Sequence, residues 1–406
     1  MQIIDLDRLL HPLEGIQAPG RYIGGEWNSA PAEELRERRY RAVLCYPDLY
    51  ELGMSHLGLQ VLREAGSAAG DWALERAFLP GPDLAGRMRE RGVPLFSLET
   101  RRSLATADLI GFSLQTEATY TNVLEMLELA GLPPASADRG RTAPLLLAGG
   151  SGAFHPEPLA PFLDAFLLGD GEEAFPALLA WLARIGGPRA LPREELLLEL
   201  GRAFPWLYVP ALYGPGADGG LRPLHPGVPF PVQSAMAASL EQAPFPVRPL
   251  VPWIPATHDR VAIEIMRGCV HGCRFCEAGM LRRPLRLRSR ARVLAIARDS
   301  LAATGHDEVS LLSLSSSDHP DLRGMLAALQ AECAPRRVGI ALPSLRVDAD
   351  LAWLPEAVAG VRRSALTLAP EAGSERLRAV INKDIREEDL LAGAAAAWRL
   401  GWRALK

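Results

Sequence analysis

Long apolar runs are missing from this 406-residue chain. No stretch of about 18 uninterrupted apolar residues occurs, which argues against a membrane-spanning helix. The opening, MQIIDLDRLLHPLEG, lacks a basic segment followed by an apolar core and a small-residue cleavage site. No secretory signal is therefore read there, and the cytosol is the expected compartment. An excess of one charge is also missing: 44 basic side chains face 48 acidic ones, a net of −4. The whole molecule then has no field to draw in nucleic acid or an acidic membrane, and such a partner would need a local patch. No Gly-x-Gly-x-x-Gly follows the first expected strand, which weighs against a nucleotide-binding Rossmann enzyme. Cysteine is scarce, five in all, yet three of the five fall between positions 269 and 276. In a reducing compartment this distribution points to metal or redox chemistry rather than a disulfide framework.

A hydrophobic content of 48% over this length calls for two or more domains. After a polar lead over 1–39, strand-like runs occur at YRAVLCYP (40–47), VPLFSL (93–98), DLIGFSL (108–114), APLLLAGG (143–150) and DAFLLGD (164–170). Helical spacing over 57–65 and in TNVLEMLELAG separates some of them. Buried strands alternating with helices predict a doubly wound parallel sheet over 40–200, with its ligand at the strands' carboxyl ends. Residues 201–257 are proline-rich and read as a connector with a hairpin at GADGG. From 258 a second alternation begins: RVAIEIMRG, a helix near 291–304, DEVSLLSLS, a helix near 320–332, RRVGIALPS, a helix near 349–359, and RSALTLAPEAG. Helices near 374–381 and 386–400 follow, and WRALK looks like the start of a fifth strand. The rhythm predicts a partial TIM-like (β/α) barrel, cut at that strand, with site residues at the strands' C-terminal ends. A barrel cut there has an unpaired edge, so a longer protein is expected.

RGCVHGCRFCEAG (267–279) places Cys269, Cys273 and Cys276 just after the first strand of the second alternation. Glycines at 268, 272 and 279 let the backbone turn so that three sulfurs face one point. The C-x3-C-x2-C spacing suits a loop around an iron–sulfur cluster, since thiolates select such clusters. Three cysteines would leave one iron of a four-iron, four-sulfur cluster without a protein ligand. Structural zinc is the alternative, with His271 or Cys333 as the fourth ligand.

The stretch resembles the loop of the radical S-adenosylmethionine (SAM) superfamily, in motif, in Phe275 before the last cysteine, and in strand context. That resemblance implies a 4Fe–4S cluster whose open iron binds SAM, and reductive cleavage of SAM to a 5′-deoxyadenosyl radical. An external electron donor of flavodoxin or ferredoxin type is then expected. SLSSSD (313–318) stands where relatives bind the SAM amino end, with Ser315, Ser317 and Asp318 as candidates, although the usual Gly-Gly-Glu is not there. Arg346 in PSLRVD would pair with a carboxylate. APEAGSERL resembles the family's E-x-G-S turn, where Glu371 and Ser374 would hold ribose hydroxyls. Both residues are equally at home as caps of the helix that follows.

The first domain resembles the cobalamin-binding-type domain that precedes the core in one branch of the superfamily, through LLLAGGSGAFHPEPL and DAFLLGDGEEAF. Gly149, Gly150 and Gly169 would admit a corrin or its nucleotide tail, with Ser113 and Thr116 facing the same crevice. No Asp-x-His-x-x-Gly occurs, so the usual lower histidine is missing; His56 is the nearest substitute, and it suits a helix cap as well. Cobalamin is thus an optional third cofactor. LRRPLRLRSRAR (281–292) carries six arginines. Arg288 and Arg290, in a run resembling the family's Arg-x-Arg-Ser, would reach the SAM carboxylate or an anionic substrate. The run is equally a solvated turn and helix start.

The resemblance covers nearly the whole chain and is nearest to a bacterial family of this branch with no assigned reaction. It implies a radical SAM enzyme for methyl transfer, methylthiolation or rearrangement on RNA, peptide or small-molecule substrates. An additional C-terminal domain or paired protein is also expected. The alternative is a non-catalytic iron–sulfur protein that binds RNA or a protein partner through 282–292.

Overall fold

The computed structural model of the chain describes residues 3–343 and 369–399. It divides into two compact units, Met1–Ala237 with Pro244–Pro246 and Leu250–His258, and Ala238–Ala243 with Val247–Pro249 and Asp259–Lys406.

In the first unit, strands β1 (Tyr40–Tyr46), β2 (Trp72–Phe78), β3 (Leu109–Ser113), β4 (Leu145–Gly149), β5 (Ala165–Leu167) and β6 (Leu207–Tyr208) form one sheet. Its order is β2-β1-β3-β4-β5-β6, parallel except at β6. Helices α1 (Leu57–Ser67), α2 (Pro82–Arg91), α3 (Tyr120–Leu129), α4 (Gly171–Arg184) and α5 (Arg193–Ala203) accompany the strands. The central strands are continuous apolar runs because a parallel sheet is covered on both faces. Chain reversal between β1 and β3 sets the switch point at which such sheets open a crevice at their carboxyl ends. The hairpin expected at GADGG is present, as β7 (Tyr213–Pro215) and β8 (Leu221–Pro223).

One expectation for this sheet fails, and one strand in it is unforeseen. VPLFSL is not a sheet strand: Leu104 N–H donates to Leu95 O, Leu95 N–H donates to Leu129 O, Phe96 bridges only to Ser103, and Leu98 N–H donates to Arg76 O. Its apolar side chains are buried, but burial alone does not fix pairing. The edge place belongs instead to β2, WALERAF, whose Glu75 and Arg76 interrupt the apolar pattern in sequence. Both are buried and paired. Arg76 Nη2 lies 2.6 Å from Glu26 Oε2 and its Nε bonds Glu99, while Glu75 receives Arg41, Arg102, Ser97 and Thr100.

The second unit is built on β9 (Val261–Glu264), β10 (Met266–Arg267), β11 (Arg286–Leu287), β12 (Glu308–Leu312) and β13 (Gly339–Ala341). Strands β13, β12 and β9 form a parallel sheet in that order, and β10 pairs with β11 as a short antiparallel ribbon. Helices α7 (Arg290–Thr304), α8 (Leu322–Cys333), α9 (Glu375–Val380) and α10 (Glu387–Arg399) follow the expected places closely, and the short α6 (Glu277–Leu281) adds to them. Ser289 starts α7 by accepting from Arg292 N–H at 3.1 Å and donating to Glu241 at 2.6 Å. The expected helix at 349–359, most of the fourth strand and the strand start at 402–406 lie outside the described residues. The protein is thus a mixed α/β molecule with a parallel sheet. Among the described residues, no helix is long and apolar enough to cross a membrane.

Candidate functional site

The cysteine loop leaves the carboxyl end of β9, and the β10–β11 ribbon ties its two ends together. Gly268 makes this possible. Its φ is 90°, and a Cβ there would stand 2.8 Å from the carbonyls of Arg282 and Pro284, just before β11. Cys269, Cys273 and Cys276 are partly exposed and free of disulfides. Cys276 starts α6, its Sγ accepting from Gly279 N–H at 3.4 Å. Burial pushes the Cys269 thiol up, a backbone hydrogen bond from His271 pulls it down, and the charges of Asp318, Cys273 and Cys276 push it up again. The charges of Cys273 and Cys276 thus reach the Cys269 thiol within one short loop. Among the described residues no three His, Cys, Asp or Glu side chains stand in a finished metal-ligand set. The loop brings the donors together without fixing them in a closed cage.

Both proposed fourth ligands for zinc are engaged elsewhere. His271 Nε2 lies 2.8 Å from Asp318 Oδ2, so Asp318 links the SLSSSD turn to the cysteine loop. Cys333, 1% exposed, is packed at the end of α8, and burial pushes its thiol up. In the same turn Ser313 and Ser316 bond each other at 2.8 Å. Ser315 is 5% exposed, and its Oγ is buried with no hydrogen-bond partner among the described residues. A buried hydroxyl left in that state is costly unless something else satisfies it. Ser317 is half-buried beside it.

The segment before and after α9 comes to the same loop. Asn382 Nδ2 donates to Gly272 O at 2.8 Å, and Arg274 N–H donates to Ile381 O at 2.9 Å. Lys383 Nζ stands 3.5 Å from Glu371 Oε1 and 5.9 Å from the centre of the exposed Phe275 ring. Glu371 and Phe275, two sequence-predicted residues, are thus joined by a lysine that sequence reasoning missed. Ser374 Oγ accepts from Leu377 N–H at 3.4 Å and caps α9. Arg346 lies outside the described residues.

Residues 263–405 match the family model described as the radical SAM superfamily, and residues 58–210 match that described as radical SAM proteins, N-terminal. The chain belongs to the radical SAM superfamily. The uncharacterized protein MJ0966 of Methanocaldococcus jannaschii is 24% identical over 367 residues, 89% of this chain and 67% of that protein. Among solved structures, the radical SAM methyltransferase TsrM from Kitasatospora setae, with tryptophan substrate and aza-SAM bound, has a TM-score of 0.56 at 15% identity. That match covers 89% of this chain and 66% of TsrM. The cobalamin-dependent radical SAM enzyme OxsB, with aqua-cobalamin and SAM bound, has a TM-score of 0.59 at 14% identity, over 89% of this chain and 48% of OxsB. This chain therefore spans about two thirds of the length of MJ0966 and TsrM and about half that of OxsB. At these identities the solved structures speak to fold alone.

Within the radical SAM domain the arginine run is largely engaged. Arg288 is 1% exposed and its charge is felt by Glu264 at the end of β9; burial pulls its guanidinium down. Arg290, at the first turn of α7, pairs with Asp321 at 3.2 Å in solvent. The N-terminal domain places Ser113 at the end of β3 and Thr116 as the cap of the next turn, both on the β1–β3 switch side. At two of the glycines named for a corrin the chain packs close against the backbone. A Cβ on Gly150 would meet Leu114 O at 2.3 Å, and one on Gly169 would meet Ala235 O at 2.1 Å. Gly149, the last residue of β4, faces Leu167. His56 Nδ1 accepts from Leu59 N–H at 3.1 Å, which makes it the cap of α1.

Proposed function

We propose that the protein is a radical SAM enzyme holding a 4Fe–4S cluster on Cys269, Cys273 and Cys276. The observation that carries this reading is the set of three unbridged, partly exposed thiols in one short loop at the carboxyl end of β9, with His271 and Cys333 committed elsewhere. Such a donor set fits a cluster with one iron left to an exogenous ligand. When bound, the cluster and SAM supply the one-electron cleavage of the sulfonium that gives methionine and a 5′-deoxyadenosyl radical.

The chain's own residues bind and orient. The Ser315 hydroxyl, buried and unpartnered, would bond the amino end of SAM, with Ser317 and Asp318 beside it. Phe275 would cover the adenine side, Glu371 would accept from a ribose hydroxyl, and Ser374 would support that turn by capping α9. Arg346 would meet a carboxylate, and buried Arg288 would raise the positive potential at the end of β9. Arg290 keeps to its surface pair. The reading takes the second unit as a partial β/α barrel, with β9, β12 and β13 as its described strands. It divides the chain into a lead over 1–39, a cobalamin-binding-type domain over 40–200, a connector over 201–257 and the radical SAM core from 258 to 406.

Cobalamin enters through the descriptions of TsrM and OxsB structures, which include it. Gly149, Gly150 and Gly169 would let the backbone approach it, and a side chain at Gly150 or Gly169 would clash with the chain. Ser113 and Thr116 are the residues it would face. The reaction class is methyl transfer, methylthiolation or rearrangement, on an RNA, peptide or small-molecule substrate. The enzyme would draw electrons from a flavodoxin- or ferredoxin-type donor in the cytosol.

The test is anaerobic purification of the full-length protein with iron and sulfide counting and a visible spectrum in which cobalamin is also sought. About four irons per chain are expected, with loss of most of that iron in each Cys→Ala variant. Dithionite and SAM should then give 5′-deoxyadenosine in the parent protein and background levels in the variants. Colourless, zinc-loaded protein would overturn the reading.

A further inference from the structure

The segment 371–385 forms a small stitched unit. Arg378, 3% exposed, donates from Nε to Ile385 O at 2.7 Å and from Nη1 to Ala372 O at 3.0 Å, so the two flanks of α9 are drawn together. Two non-glycine residues in this unit hold left-handed backbone, Glu371 at φ 68° and Asn382 at φ 54°. Asparagine tolerates that region and glutamate does so rarely, so the surroundings must hold Glu371 there. Both positions make further contacts, Asn382 with the carbonyl of Gly272 and Glu371 with Lys383, beside the bonds that Arg274 of the loop donates to Val380 O and Ile381 O. Lys383 then lies over Phe275, one residue before Cys276.

We propose that Asn382 and Lys383 are positioning residues that clasp the cysteine loop from outside and fix it to the Glu371 turn. Asn382 holds the backbone between Cys269 and Cys273, and Lys383 holds the side of the loop between Cys273 and Cys276. Lys383 also sets the distance between Phe275 and Glu371, the two groups proposed above to bracket adenosine; that second role rests on the proposed function.

The test uses the full-length protein as Asn382→Gly, which keeps the left-handed backbone and deletes the amide, Lys383→Met, which deletes the charge, and Lys383→Arg, which restores it. In metal-free protein, iodoacetamide should alkylate Cys273 and Cys276 about fivefold faster in Asn382→Gly and Lys383→Met than in the parent, the factor one lost hydrogen bond or one lost cation–π contact is worth. Lys383→Arg should react at the parental rate, and all three variants should melt with the parent. After anaerobic reconstitution, the cluster in the first two variants should lose iron to a chelator faster, and in Lys383→Met the change in its electron paramagnetic resonance on adding SAM should shrink and return in Lys383→Arg. Parental alkylation rates in both Asn382→Gly and Lys383→Met would overturn the clasp. If the parent itself assembles no cluster, the proposed function fails while the alkylation rates still decide the clasp.

Discussion

Ser315 shows what a single side chain can disclose. Its place at the end of a strand is legible in sequence, because DEVSLLSLS is an apolar alternation ending in small polar residues. Which of the neighbouring serines matters is not legible, since that depends on which hydroxyls find partners. Ser313 and Ser316 satisfy each other and Ser315 does not. Deleting an unpartnered buried hydroxyl removes an uncompensated desolvation cost rather than a bond. Ser315→Ala should therefore melt at or slightly above the parental temperature, while SAM binding to the reconstituted protein weakens by about fivefold. Calorimetry and equilibrium dialysis on the same preparation check both halves. The three cysteines were legible for the opposite reason: spacing alone restricts what a glycine-flanked thiol triplet can do. Asn382 and Lys383 were hidden because they meet the loop across more than a hundred residues, and the only local trace is an asparagine after a short helix, which suits left-handed backbone.

At the level of the element, β2 is the instructive strand. Sequence patterning finds β1, β3, β4 and β5 from their apolar runs and passes over WALERAF, because charged residues seldom occupy a buried strand. The pattern that explains it is distributed: Glu26 from the lead segment and Glu99 after α2 both reach Arg76, and Tyr50 donates to Glu26 at 3.0 Å. Burial pushes the Glu26 carboxyl up, but the charge and hydrogen bonds of Arg76 more than offset this, and the group ends below its ordinary value of 4.5. A carboxyl depressed in the folded state contributes stability above its unfolded pKa and loses it as pH falls through the folded value. Glu26→Gln should cost about 3 kcal/mol at pH 7, since it leaves a buried arginine short of one counter-charge. The gap between variant and parent in urea unfolding should narrow as the pH is taken below 4.5, the ordinary value of the group. A gap that is constant with pH would show that Glu26 acts by shape alone. VPLFSL is the converse case, where apolar residues are buried without sheet pairing.

For the molecule as a whole, alternation of apolar runs and helices was enough to place one parallel sheet in each unit. It was not enough to find the edges: β2, β6 and the β10–β11 ribbon are short or charged and owe their pairing to distant partners. Nor did composition show that the proline-rich stretch is shared, with Ala238–Ala243 and Val247–Pro249 belonging to the second unit and the residues around them to the first. Glu241, inside the first of those insertions, receives both the backbone N–H and the hydroxyl of Ser289, at 2.9 and 2.6 Å. Glu241→Ala should speed amide exchange over 289–293 by about fivefold, the effect of removing a hydrogen bond at a helix start. Exchange measured by mass spectrometry checks it, and an unchanged rate would show that Ser289 holds α7 unaided.

That stitch has a practical outcome for anyone recombining such proteins. A splice at residue 258 would sever the start of α7 from its acidic brace, because the brace is encoded upstream of the first unit's last residues. Modules exchanged between related chains would have to be cut before residue 238, carrying the brace along as part of the cargo.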